Sequence, residues 1–409
     1  MRRLFSALVV ALLLLPAAAS AAPDPLRAQQ WNLDMIGADA AHKVTRGEGA
    51  VVAVIDTGVD ASHEDLTGRL LPAFSAIAGK GPADENGHGT HVTGIVAANA
   101  DNGIGIDSVA PGTRVLPVRV LDQNGEGSDA DVAKGIDYAI AQKVDVINLS
   151  LGGTALDAFL PGGEFAAAVQ RAVDAGIVVV AAAGNDSVPI CEQPQIRGEI
   201  LCVGAVDRRG MRSFFSSGDS SAVMAPGGSG SGVSGEDVLS TVPGSKYETM
   251  AGTSQATPHV AGVAALVVSR GVRGAAAVQR VRATARDAGV AGADPVYGVG
   301  IVDAQAAVAG LGGGPGAVPG SVALRRVHKI RTVLKRGMRA NCTAQEGECE
   351  VVVRRRGVVI ASGRGRGAFA VRVTSAGAKL LRHARSLHAV AELKAPGAPL
   401  RTLKVTFKR

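Results

Sequence analysis

Three residues of this chain combine side chain and setting in a way that suits covalent catalysis. Ser254 stands in GTSQATPHVAGVAAL, residues 252 to 266, where an apolar helix begins. A hydroxyl there sits beside unpaired backbone N–H groups and the positive end of a helix dipole, which favours developing negative charge. Serine is a weak nucleophile without a base, and the base needs an orienting acid. His88, in NGHGTHVTGIVAA, has glycines on both sides and is followed by an apolar run that reads as a helix. Asp56 ends the run VVAVI and begins DTGVD. The other histidines serve less well. His91 lies three residues past His88 on the same helical side and is expected to pack beneath it, His63 falls in a loop, and His42 lies in a polar N-terminal helix. His259 follows Ser254 by five residues, about 140° round a helix, and faces away from it. His328, His383 and His388 belong to a basic tail.

Two other chemistries are weighed against this one. DTG also marks aspartic proteases, but that mechanism shares a proton between two carboxylates, and no second DTG or DSG occurs. A hydrolase of the G-x-S-x-G type needs acid and histidine after the serine. Here the serine sits in GTSQA, and only tail histidines follow beyond His259. The order Asp56, His88, Ser254 remains.

These residues must be positioned by the elements around them. The runs Val51 to Ile55, Val115 to Val120, Val144 to Leu149 and Ile177 to Ala182 are nearly continuous in apolar residues, as strands buried on both faces of a parallel sheet are. Between them, Asp129 to Gln142 and Glu164 to Ala175 carry apolar residues at helical spacing, and Gly176 follows the second as a C-terminal cap. The pattern predicts an α/β fold, a doubly wound and mostly parallel sheet. Ligands bind such sheets beyond the carboxyl ends of the strands. Asp56, Ser150 after VINL and Asn185 after VVVAAAG all fall there.

VIDTGVD, NGHGTHVTGIVA and GTSQATPHVAGVAAL resemble the three catalytic blocks of the subtilisin-like serine proteases, and NLSLGG and AAAGN resemble their substrate-binding and oxyanion blocks. The five blocks occur in the family's order between about Trp31 and Gly310. The resemblance implies that Asp56 orients His88, that His88 acts as general base and then acid, and that Ser254 attacks the scissile carbonyl. It implies an oxyanion hole made by the Asn185 amide and the Ser254 N–H. Ser150, Leu151 and Gly152 with Ala182, Ala183 and Gly184 would wall the first pocket. Gly125, Glu126 and Gly127 would form the facing strand that pairs with substrate, Glu126 favouring basic side chains. A structural calcium is implied at Asp65 of HEDL and Asn102 of ADNGIGI, with Asp24 completing the oxygen set; no organic cofactor is implied. Gln255 and Thr257 depart from the family's block in side chain only, which leaves the backbone donors in place. Many secreted relatives carry a long pro-segment, and this sequence leaves no room for one.

The 409 residues, 46% hydrophobic and 19% charged, suit one large domain or two. Arg2 and Arg3, a Leu- and Ala-rich run and small residues to Ala22 form a secretory signal peptide, residues 1–22. A secreted, extracellular protein is expected, with no transmembrane segment after signal removal. Four cysteines in an exported chain suggest two disulfides. Three pairings are possible, and the local one, Cys191 with Cys202 and Cys342 with Cys349, keeps each bridge within one region. Residues 321–409 hold 21 Lys and Arg against 4 Asp and Glu, a net of +17 that leaves −10 for residues 1–320 of the whole-chain +7. That asymmetry predicts a peptidase domain at 23–310, a Gly/Pro linker at 311–320 and a basic, β-rich accessory domain at 321–409. Such charge attracts anionic wall or surface polymers. The tail has only two Phe and no Trp or Tyr, so specific nucleic-acid binding is not expected. The alternative to a protease is a cell-surface polyanion-binding protein that carries a protease fold.

Overall fold

The computed structural model describes residues 22–152, 163–191, 200–311, 322–324, 327–342, 348–365, 367–394 and 401–409. Most of the signal peptide (1–21) and of the linker (312–320) therefore lies outside the described residues. The apolar runs become β1 (Val51–Asp56), β2 (Phe74–Ser75), β3 (Arg114–Arg119), β4 (Val146–Leu149), β5 (Val178–Ala182), β6 (Leu201–Val206) and β7 (Val223–Pro226). They form one seven-stranded sheet in the order β2-β3-β1-β4-β5-β6-β7, and every pairing in it is parallel.

Eight helices accompany the sheet among the described residues: α1 (Trp31–Ile36), α2 (Ala38–His42), α3 (His88–Ala97), α4 (Asp129–Ala141), α5 (Glu164–Asp174), α6 (Thr253–Ser269), α7 (Ala275–Ala283) and α8 (Ala304–Val308). Strand alternation sorts them into layers, since successive side chains leave a strand on opposite faces. Val52 and Val54 of β1 join the core built with α3 and α6. Ala53 and Ile55 join the core built with α4 and α5. The sheet thus has apolar cores on both faces, which is why its strands lack a polar stripe. Chain order reverses direction across the sheet at β1, so the loops after β1 and β4 open a crevice at their carboxyl ends. Asp56 and Ser150 stand at that crevice.

Small boundary differences have local causes. Val144 and Ile177, read as the first residues of strands, instead donate backbone N–H groups to Ala139 and Ala172 and close the preceding helices. Gly176 adopts φ +79° and its N–H caps Val173, the role its position predicts. An antiparallel hairpin, β8 (Val238–Val242) and β9 (Lys246–Met250), leads into α6.

The C-terminal residues build a second sheet with its own core. Its elements are β10 (Val322–Leu324), β11 (Val327–Lys329), α9 (Ile330–Arg336), β12 (Met338–Cys342), β13 (Cys349–Arg355), β14 (Val358–Gly365), β15 (Gly367–Val373), α10 (Ser375–His383), β16 (Ser386–Lys394) and β17 (Arg401–Lys408). The strand order is β10-β12-β15-β14-β13-β16-β17-β11. Pairing is antiparallel except between β11 and β17. Ile330 and Val333 of α9 and Leu381 of α10 pack into the core with Val351, Val353 and Phe407. Both local disulfides form, Cys191–Cys202 and Cys342–Cys349. Among the described residues no helix is long and apolar enough to cross a membrane.

Candidate active site

Every residue of α6 is buried except Ser254. The helix also contains Pro258, which has no N–H to give to the carbonyl four residues back. That carbonyl belongs to Ser254, and the Ser150 hydroxyl donates to it instead, at 2.7 Å. The Ser254 hydroxyl in turn donates to the Ser150 carbonyl at 3.2 Å. Proline thus opens the first turn of α6 to a reciprocal serine pair, which fixes the end of β4 against the start of α6.

His88 is the first residue of α3, after Gly87 with φ +107°. Gly89 must be glycine: a Cβ there would fall 2.2 Å from the Gly58 carbonyl oxygen. This close approach brings α3 onto the turn after β1. His88 Nδ1 lies 2.7 Å from Asp56 Oδ1, which also accepts the Thr57 N–H at 2.7 Å. Asp56 is fully buried, and its Oδ2 has no hydrogen-bond donor among the described residues. Burial works against the charged form of His88, but the Asp56 charge, its hydrogen bond and the Asp84 charge outweigh it and raise the imidazole's pKa.

Asp84 escaped the reading of the sequence. Its carboxylate accepts from Thr57 Oγ1 at 2.9 Å, Asn86 N at 3.0 Å, Gly87 N at 2.8 Å, and Thr90 N and Oγ1 at 2.9 and 2.6 Å. Thr57 Oγ1 itself accepts the Gly89 N–H at 2.9 Å. Asp84 thereby caps α3 and ties it to the strand that ends in Asp56. The loop holding Asp84 is gripped from below by Arg119, 1% exposed. Its guanidinium donates to the carbonyls of Gly81 and Ala83 and to the Glu85 carboxylate, at 3.2, 2.7 and 2.7 Å. Asp84 precedes the N-cap residue Gly87 by three positions, outside the N-cap itself, so no local capping pattern points to it.

Asn185 is exposed just beyond β5. Its Oδ1 accepts from Thr253 N at 2.9 Å and Thr253 Oγ1 at 3.1 Å. The amide is thereby oriented with its N–H₂ group free of that contact. Among the described residues the Ser254 N–H, in the first turn of α6, makes no hydrogen bond.

The remaining histidines behave as structural groups. His91 is fully buried, with Nε2 at 3.2 Å from both Val238 O and Glu248 O. Ser240 Oγ and Thr241 Oγ1 donate to the His91 and Thr90 carbonyls at 2.7 and 2.8 Å, so the β8–β9 hairpin is fastened to α3. Burial, then the His88 charge, lowers the His91 pKa to about 3. Burial lowers that of His259 to about 4, whose Nδ1 meets Gln255 O and whose Nε2 meets Asn32. His63 caps the Glu64–Leu66 turn through Nδ1, and His42 Nε2 meets Val109 O.

The residues expected to wall the pocket gather at the carboxyl edge of β4 and β5. Ser150, Ala182, Ala183 and Gly184 are buried, Leu151 is half-buried and Gly152 is exposed. Gly125, Glu126 and Gly127 are exposed and belong to no assigned strand. A turn with Asp122 N–H on Glu126 O closes that segment.

Asp24, Asp65 and Asn102 do meet. Asn102 Nδ2 donates to Asp65 Oδ1 at 2.9 Å, and Asp24 accepts the N–H groups of Asp101, Asn102 and Gly103. Asp65 is fully buried. Burial, reinforced by the Asp24 charge, raises its pKa against the pull of the Ile106 N–H and the Asn102 amide. The two carboxylates are buried and Asn102 is exposed; carboxylate oxygens suit a hard cation, while Asn102 turns its N–H₂ group to Asp65 and its Oδ1 to the Ile104 N–H. Elsewhere Asp39, His42 and Asp107 bring their ligand atoms within 4.8 Å of one another, but Asp39 is already paired with Arg27.

A parallel sheet with histidine and serine at the starts of two helices, and an aspartate at a strand end, defines a subtilisin-like serine protease. Residues 47–300 match the model of the Subtilase family, and the chain belongs to that family, a class of serine-type endopeptidases. It is similar to subtilisin of Bacillus pumilus, 40% identical over 285 residues that cover 68% of this chain and 98% of that protein. It is similar to thermitase of Thermoactinomyces vulgaris, 40% identical over 59% of this chain and 83% of thermitase. With a thermophilic serine proteinase of Bacillus sp. strain AK1 it shares 44% identity over 236 residues, 57% of this chain, and spans only 56% of that relative's length. A solved protease from Pseudoalteromonas arctica PAMC 21717 superposes with a TM-score of 0.64 at 33% identity, covering 72% of this chain and 100% of that one. The family match ends before the C-terminal sheet.

Proposed function

We propose that this serine-type endopeptidase is exported and cleaves peptide bonds through an acyl-enzyme on Ser254. The observation that carries the reading is the 2.7 Å hydrogen bond between buried Asp56 and His88. It fixes the imidazole so that Nδ1 faces the acid and Nε2 is the atom left for the nucleophile. Ser254 Oγ turns from the Ser150 carbonyl, gives its proton to His88 and attacks the scissile carbon. The buried Asp56 carboxylate, with one oxygen short of a donor, stabilises the imidazolium that results. The Asn185 amide and the Ser254 N–H receive the oxyanion. His88 then protonates the leaving amine, and water repeats the sequence to release the acid product.

Extended substrate would pair with the edge at Gly125, Glu126 and Gly127 and place its side chain against Ser150 to Gly152 and Ala182 to Gly184. Residues 23–310 form the proposed peptidase domain and 321–409 the accessory domain. Calcium, held by Asp24, Asp65 and Asn102, would neutralise two facing carboxylates and brace the N-terminal segment. The test compares the purified chain with Ser254→Ala on casein and a peptide library, with and without a calcium chelator. The variant is expected to be inactive, and the chelator to lower the melting temperature. Retained cleavage by Ser254→Ala overturns the triad, and an unmoved melting curve overturns the calcium.

A further inference from the structure

The C-terminal sheet has two unlike faces. Helices α9 and α10 and the side chains of Val351, Val353, Phe369, Val371, Val405 and Phe407 fill one. The alternate residues of the same strands point the other way, and pairing register puts them on one surface. Arg339 and Arg372 come from β12 and β15, Arg354 and Arg364 from β13 and β14, and Lys394, Lys404 and Lys408 from β16 and β17. The acids on this face, Glu350 and Glu392, are both used: Arg364 pairs with Glu350 at 3.3 Å and Arg354 with Glu392 at 3.2 Å. Arg339, Arg372, Lys394, Lys404 and Lys408 are exposed and meet no carboxylate among the described residues.

Like charges gathered on a flat surface repel one another, and a polyanion relieves that repulsion while releasing its own counterions. The rest of the face says which kind. Phe369 and Phe407 point into the core, and the outward apolar positions, among them Val352, Ala368, Ala370 and Val390, hold nothing larger than valine. Among the described residues no Phe, Tyr or Trp is offered for stacking a base, the one ring on the face being the His388 imidazole beside Thr406, and no apolar group larger than valine for entering a lipid surface. We infer that this open face binds a linear polymer of phosphate groups through their charge alone, which would hold the protease at an anionic wall or surface. The binding is independent of the peptidase site.

The experiment uses the full chain bearing Ser254→Ala, so that it does not digest itself, and long-chain inorganic polyphosphate as probe. Affinity is followed as salt is raised. The five unpaired cations predict a slope of log K against log salt of about −3.5 to −4.5, if each meets one phosphate. Changing Arg339, Arg372, Lys394, Lys404 and Lys408 together to Gln is expected to weaken binding at least ten-fold and flatten that slope. A control replaces exposed Arg331, Lys335 and Arg336 of α9, off this face, and should keep most of the affinity. Equal loss in the control would mean that net charge rather than the face is responsible, and would overturn the inference. Single-stranded DNA that binds tighter than polyphosphate of equal charge would also overturn it, in favour of nucleic acid. Anionic lipid vesicles bound in preference would do so in favour of a membrane.

Discussion

Asp84→Asn separates the work of one carboxylate oxygen from that of its charge. The asparagine keeps a single acceptor oxygen, which suits the side facing Thr57 Oγ1, Asn86 N and Gly87 N. Its N–H₂ group must then face Thr90, whose N–H and hydroxyl both donate to Asp84. The hydroxyl can turn round, but the N–H cannot. Thr90 is fully buried, so its N–H loses its acceptor, at about 1–3 kcal/mol. Removing a negative charge beside the N-terminus of α3 adds about 0.3–1 kcal/mol. The sum, about 1.5–4 kcal/mol, is read by urea denaturation in a Ser254→Ala background, where autolysis cannot distort the curve. The same substitution removes one of the charges that raise the His88 pKa. In the active form, the acid limb of the kcat/KM profile should therefore move to lower pH. A stability loss below about 0.5 kcal/mol together with an unmoved acid limb refutes the reasoning.

Two further outcomes follow from the site and the core. Asn185→Ala should lower kcat by about 10²–10³ with little change in KM, the size established for the equivalent donor of subtilisin itself and carried over rather than derived; an unchanged kcat removes Asn185 from the oxyanion hole. His91 and His259 are buried neutral, with pKa values lowered to about 3 and about 4, against about 6.5 in the unfolded chain. Below that value the unfolded state binds the extra protons. Each histidine should therefore cost about 1.4 kcal/mol of stability per pH unit as pH falls from about 6.5 toward its folded value. Replacing His259 by Gln should make the acid side of the stability curve shallower, and an equally steep curve would contradict the assignment.

The catalytic layout was legible because each triad residue carries its own local signal: a β-branched run before Asp56, glycines about His88, and an apolar helix after Ser254. The parallel sheet was legible for a related reason, since strands buried on both faces have no polar alternation to confuse with another element. Asp84 was not, because its partners Thr57 and Thr90 lie 27 residues before it and six after, and only the docking of α3 on β1 makes them neighbours. The Ser150–Ser254 pair was hidden similarly: it spans 104 positions, and its need arises from the missing N–H of Pro258. At Gly125 to Gly127 the expected strand is one that pairs with substrate, and the chain by itself closes a turn there.

The hairpin beneath His91 couples the base to the nucleophile. It backs the helix of the base, and its second strand runs on to Gly252 and the serine. Residues 238–254 therefore carry the backing of the base and the nucleophile in one stretch of polypeptide, and a chain cut short before residue 238 lacks both at once.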